Sequence, residues 1–311
     1  MANLKSIKTK ITSYKKTGTV THAMEAVSAV KMRKTQERAL SARAYAAAGL
    51  SILERLAASG HMHREPVLLT EGGEEGRIRK ACYIVVTSDK GLAGALNSAV
   101  IKLTESHMQK RGDTKENSSV YAVGRRGGEY FASRGYTMLG KRENVADSVA
   151  EGELREITNA LFEAQQRGDF NSCFVVYTNF ISTFEQQAVV RQILPLISEM
   201  LGEIVHGILP AKGKYAGIAK DEQERPSVYT IEPEADVVLA ELLPKLLNIA
   251  VFHALLEAKA SEHSARMVAM KSATDKAKEM AHDLTRTFNK VRQAAITREV
   301  SEITSGIEAM R

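Results

Sequence analysis

The 67 residues from Lys245 to Arg311 contain no proline and a single glycine, Gly306. Nothing in their backbone chemistry stops one uninterrupted helix almost to the end. Along it, apolar or small residues recur at alternating steps of four and three: Leu256, Ala260, His263, Met267, Met270, Thr274, Ala277, Ala281, Leu284, Phe288, Val291 and Ala295. A heptad seam kept over this length requires a partner helix wound on it with a left-handed supercoil. Residues 3–59 supply one. They also lack proline, and Leu4, Ile7, Ile11, Tyr14, Gly18 and Thr21 keep the same spacing ahead of an alanine-rich segment from Ala23 to Leu53. Ala26, Ala29, Ala44 and Ala47 would let two helices approach closely, although alanine's helix propensity alone also explains them.

Apolar residues make up 44% of the chain and aromatics only 5%, with no tryptophan, a balance that suits helix packing better than a large sheet. Two cysteines, Cys82 and Cys173, sit far apart in separate apolar runs, neither a disulfide framework nor a metal spacing, which points to a reducing compartment. No run approaches the roughly 18 apolar residues of a spanning helix. The expectation is a soluble or peripheral protein, with no signal-type segment at its start. Charge is divided: residues 1–59 carry 11 Lys or Arg against 3 Glu, residues 245–311 carry 11 against 8, and the middle carries 21 against 26. Basic helical ends flank an acidic middle. That pattern fits a solvated helix surface, a nucleic-acid clamp, or an acidic protein cavity around the helices. No basic region is interleaved with stacking aromatics, so nucleic acid is not expected.

Between the helices the chain changes character. Residues 60–76 are rich in His, Pro, Gly and Glu and read as a surface loop; His61 and His63 have no nearby third ligand, so no metal site is expected. Ala81–Thr87 reads as a buried strand, followed by the turn SDKGLAGALN (Ser88 to Asn97) and a helix from about Ser98 to Lys110. Val120–Val123 and Ser172–Thr178 read as further strands, Gly127–Arg134 and Glu153–Arg167 as helices, which makes the middle a small α/β layer domain. Its glycine loops fail as phosphate cradles. Gly91 and Gly94 fall short of the GxGxxG spacing, and in the GxxxxGK match from Gly135 to Lys141, Arg142 stands where a magnesium-binding Ser or Thr is needed. Both are read as turn and packing glycines. Ser88 and Asp89 have no motif-level histidine partner, so no catalytic constellation and no cofactor are expected. Residues 211–228 read as a polar loop or insertion, Pro233 as a helix start with an acidic first turn, and Pro244 as a break or kink before the long helix.

The expected architecture is α/β: a long antiparallel coiled coil of the N- and C-terminal helices with an inserted small Rossmann-like α/β domain. Its divisions fall at residues 1–59, 60–232 and 233–311. Sixty residues of helix span about 90 Å, whereas a compact domain of about 150 residues has a radius of gyration near 15 Å. On these dimensions most of the rod projects beyond its own domain, as a shaft or a spacer does.

Four segments carry a resemblance over nearly the whole chain. MEAVSAVKMRKTQ (Met24 to Gln36), SDKGLAGALN, EHSARMVAMKSATDKA (Glu262 to Ala277) and ITREVSEITSG (Ile296 to Gly306) resemble the first-helix segment, the SDRGLCGGLN-like loop, the second-helix core and the C-terminal I-T-x-E-x-x-[DE]-x-x-x-G signature of the γ subunit of F-type ATP synthase, the central rotor stalk. Ala93 and Ala95 replace the Cys and Gly frequent in that loop, and Ile307 replaces the usual Ala after Gly306. Neither departure removes a charge. The absence of a cysteine pair from 211–228 argues against thiol regulation of the chloroplast kind, and the immediate start of the helical pattern resembles bacterial members.

The resemblance implies a non-catalytic subunit, with ATP chemistry belonging to β subunits. It implies a coiled coil turning within a ring of three α and three β subunits, and a middle domain resting with an ε subunit on the c-ring of the membrane sector. Membrane association would come only through the complex, at the cytoplasmic face of the bacterial plasma membrane. Met24, Lys31, Arg33, Arg266, Gln293, Thr297, Glu299, Glu302, Ile303 and Ile307 are the residues expected to meet partner subunits; ordinary solvated helix surface is the alternative for the polar ones. A tip from about Ile296 is expected to stand without an intramolecular partner. Two other functions remain open from the residues alone: a coiled-coil spacer or nucleic-acid clamp with a non-catalytic α/β domain, and a nucleotide-dependent enzyme that would turn over ATP by itself.

Overall fold

A computed structural model describes residues 4–58, 80–194 and 235–310. The readings of 60–76, His61, His63, 211–228 and Pro233 lie outside the described residues. The elements are α1 (Leu4–Ala58), β1 (Ala81–Val86), α2 (Leu96–Arg111), β2 (Ser118–Val123), α3 (Arg125–Ser133), β3 (Thr137–Arg142), α4 (Glu151–Gln166), β4 (Ser172–Phe180), β5 (Gln186–Leu194) and α5 (Ala235–Ala309). The chain divides into two compact units, residues 1–28 with 266–311 and residues 29–265.

The first unit is a two-helix coil. Gly18 lies 3.6 Å from the Ala277 Cβ, measured from an ideal Cβ, and the Thr21 and Thr274 hydroxyls are 2.6 Å apart. An advance of three along α1 is thus answered by a retreat of three along α5, so the helices are antiparallel. The same register sets Ile11 against Leu284, Ile7 against Phe288 and Leu4 against Val291. Close approach comes from Gly18, Ala277 and Ala281, whereas Ala26 is exposed.

The second unit is built on a five-stranded sheet of order β3-β2-β1-β4-β5, in which β5 alone is antiparallel to its neighbour. All six residues of β1 and of β2 are buried, as expected for parallel strands covered on both faces. Tyr83, Val85, Val120 and Phe174 pack with α2 and α3 on one face. Cys82, Ile84 and Val175 pack on the other with α4 and with Leu246, Val251 and Leu255 of α5. Cys82 and Cys173 are register partners on β1 and β4, so the sheet brings together two thiols that stand far apart in sequence. Both are free and buried, and desolvation with the neighbouring thiol pushes Cys173 up.

The break expected at Pro244 needs correction, and two strands went unread. α5 begins before Pro244 and continues through it: one proline removes one intrahelical hydrogen bond, and a core-packed helix outweighs that loss. β3 and β5 went unread as strands. They form the two edges of the sheet, and their residues are mostly half-buried, which leaves them without the continuous apolar run of β1. No described helix is long and apolar enough to cross a membrane.

Candidate functional site

An open α/β sheet binds its ligands outside the carboxyl ends of its strands, at a point where connections diverge to either side. Here β1 lies between β2 and β4, and the crevice beyond its end is occupied. Val86, Thr87 and Ser88, with Val123 and Gly124 at the end of β2, face Leu255, Ala258, Lys259 and Glu262 of α5, leaving about 10 Å³, room for roughly one water. Gly124 (φ 93°) would place a Cβ 2.0 Å from the Thr87 carbonyl oxygen, so this turn admits only glycine.

Polar groups of the Ser88–Asn97 loop bond within the loop and to Arg125 of α3. The Ser88 hydroxyl donates to the Lys90 carbonyl at 2.6 Å, and the Ser88 amide donates to Asn97 Oδ1 at 2.9 Å. Asp89 Oδ1 accepts from the Arg125 amide, and its carbonyl accepts from the Arg125 guanidinium, each at 3.0 Å. Ser88 is fully buried. The GxxxxGK match is equally spent: Gly135 (φ 78°) turns the chain after α3, and Gly140 lies within strand β3 against the Tyr121 ring.

The surfaces left for recognition are helical. Beside Gly18 and Ala277, where no side chain fills the seam, a groove of about 570 Å³ opens between Tyr14, Lys15 and His22 of α1 and Lys278 and His282 of α5. Further along α5 the seam stops for a visible reason. After Ala295 its positions are taken by Arg298 and Glu302, which are exposed and joined at 2.9 Å. One residue around the helix, roughly 100°, a new apolar stripe begins: Ile296, Val300, Ile303, Ile307 and Met310, all exposed. In the same register Leu4, the first residue of α1, stands against Val291, five residues short of Ile296.

A sequence profile described as "ATP synthase" matches residues 3–310. The "ATP synthase gamma chain" of Heliobacterium modesticaldum is 36% identical over 310 residues, covering 100% of both chains. The "ATP synthase gamma chain, sodium ion specific" of Acetobacterium woodii is 35% identical over 313 residues and 99% of both. The chain belongs to the ATP synthase γ chain family. Among solved structures, a chain of the Euglena gracilis mitochondrial ATP synthase (OSCP/F1/c-ring) aligns with TM-score 0.64 at 16% identity over 99% of this chain and 94% of that one. A chain of the Tetrahymena thermophila central stalk and c-ring aligns with TM-score 0.56 at 19% identity, over 82% and 99%. This γ chain homologue is therefore a non-catalytic, central-stalk subunit, a peripheral part of a membrane-associated complex.

The residues expected to meet partners fall into three settings in this γ-family fold. Gln293, Thr297, Glu299, Glu302, Ile303 and Ile307 are exposed, and the Thr297 hydroxyl donates to the Gln293 carbonyl at 3.0 Å, which fixes those two on one face. Met24 is half-buried in the seam and Arg33 is exposed. Arg266 is buried, and Lys31 pairs with Asp147 at 2.9 Å. Sequence reasoning singled out Ile303 and Ile307 but not Ile296, Val300 and Met310 as members of the same stripe. The signal was present as steps of four and three, on a face that the seam's continuation through Arg298 and Glu302 does not include.

Proposed function

We propose that this chain is the rotor shaft of an F-type ATP synthase at the cytoplasmic face of a bacterial membrane, coupling ion flow through the membrane sector to ATP synthesis or hydrolysis. In this reading α1 and α5 turn inside a ring of three α and three β subunits, and the α/β unit rests with an ε subunit on the c-ring. One asymmetric surface then biases three catalytic conformations in turn, because it contacts each differently at any instant. Met24, Lys31, Arg33, Arg266, Gln293, Thr297, Glu299 and Glu302 are the proposed partner contacts along the shaft. The division into a helix over 1–59, an α/β domain over 60–232 and a helix over 233–311 belongs to the same proposal.

The observation that carries the reading is the exposed stripe that includes Ile303 and Ile307, 64% and 60% exposed. Burying an isoleucine is worth about 1.5 to 3 kcal/mol, so a row of them left in water on a well-formed helix calls for an apolar collar from other subunits. Reconstitution of the complex with Ile303→Asp is the test. Weakened assembly or ion pumping with an unchanged melt of the isolated chain supports the bearing; an unaltered complex contradicts it. Because the strand-end crevice is filled and neither glycine loop has the spacing or chemistry of a phosphate cradle, titration of the isolated chain with ATP is expected to show no micromolar binding and no turnover. Either one would sink the non-catalytic assignment.

A further inference from the structure

Within residues 143–150, between β3 and α4, Asn144 (φ 55°) and Val149 (φ 48°) adopt left-handed backbone. A β-branched residue rarely does so, and such a conformation persists only when its surroundings impose it. Here they do. Val145 and Val149 are both buried in the core under α4 and α5, and the Glu153 carboxylate accepts from the Ala146 amide at 3.3 Å and the Ala150 amide at 3.1 Å. The segment is pinned on both sides of Asp147.

That carboxylate reaches both long helices. Oδ1 lies 2.8 Å from Nε2 of His263 on α5, and Oδ2 lies 2.9 Å from Nζ of Lys31 on α1. A carboxylate only accepts, so Nε2 carries the proton. The two partners differ in weight. Lys31 is half exposed, and an ion pair in water adds little by itself. His263 is 4% exposed, and loss of its bond would leave a buried ring nitrogen short of a partner it now has.

The chain passes between the two compact units only at 28–29 and 265–266. Lys31 and His263 each stand within three residues of one crossing. We infer that Asp147 is the clasp that, within the second unit, fastens the Lys31 stretch of α1 and the His263 stretch of α5 to the α/β sheet, so that these helices and the sheet turn together. Torque delivered to the sheet would otherwise be absorbed by slippage of α1, which meets the unit through few other polar ties among the described residues. Asp147 is a positioning residue, acting through Lys31 and His263, and the inference rests on the shaft reading.

Two measurements on Asp147→Ala test it. In the purified full chain, amide hydrogen exchange should rise tenfold or more over 29–36 and 258–265 while β1 and β4 keep the parent rate, and Asp147→Glu, which keeps the charge, should restore most of the protection. Unchanged helix exchange overturns the clasp, and so does loosening that extends to β1 and β4, since Asp147 would then hold the fold rather than the helices. In the reconstituted complex, ATP hydrolysis should stay within about twofold while ions pumped per ATP fall threefold or more; parent-like pumping overturns the clasp. A parent chain that supports no pumping would tell against the shaft reading and leave the exchange result standing.

Discussion

Two segments of the same helix, α5, live in opposite solvents. From Leu246 to Ser264 no residue is exposed; from Ile296 to Met310 every residue is. Both place apolar residues at helical spacing. What separates them is the supply of partners within the chain. The first lies under a sheet whose strands present Cys82, Ile84 and Val175. The second lies past Val291, which the first residue of α1, Leu4, faces in the coil's register. A helix that keeps an apolar stripe after its own partners are exhausted is shaped for a surface that another molecule provides.

That contrast can be broken by substitutions, starting with the one expected to cost most. Leu255→Ala, at a side chain 1% exposed, should destabilise the isolated chain by about 2 to 5 kcal/mol in chemical denaturation; a cost below 1 would mean that the middle of α5 is not core. Leu284→Pro, in the seam between these segments, removes a ladder hydrogen bond and clashes with the preceding turn. It should cost roughly 3 kcal/mol or more and abolish coupling, and a variant that assembles and couples like the parent would contradict a continuous helix there.

Acid should act on Asp147. The His263 hydrogen bond, followed by Lys31, holds the Asp147 carboxyl well below the usual carboxylate range against the opposing effect of burial. A group whose folded pKa is depressed contributes stability above its unfolded value, near 4, and loses it as pH falls below that. The stability gap between the parent and Asp147→Asn should therefore be full at neutral pH and shrink as the solution is acidified below about pH 4. A gap that widens with acid would reverse the assignment. Smallest of all should be Ile303→Asp in the isolated chain, within about 0.5 kcal/mol as for other exposed sites, with its effect reserved for the assembled complex.

The long helices were legible because a 3.6-residue period sustained over tens of residues admits few other readings, and the seam from Leu256 to Ala295 is buried or half-buried at every position named for it. Buried strands β1 and β4 were legible from their apolar runs. The edge strands were not, because Gly140, Lys141 and Arg142 in β3 and Gln186, Gln187 and Arg191 in β5 are chosen for a half-exposed edge rather than for strand propensity. Pro244 misled because local chemistry forbids what tertiary packing tolerates. Nothing in the spacing of Lys31, Asp147 and His263 links them; residues 116 apart meet only through the fold. The filled crevice was equally hidden, since the loop sequence alone does not reveal that α5 lies over it.

The central claim is rotation, and it is measured by watching it. Lys110 is exposed on α2, and both native cysteines are buried, so Lys110→Cys offers a place for a single reporter. With the α and β subunits of the reconstituted complex fixed to a surface, the reporter should turn in one direction while ATP is hydrolysed and stop when ATP is withheld. Hydrolysis that proceeds at the parent rate with the reporter stationary would contradict the account.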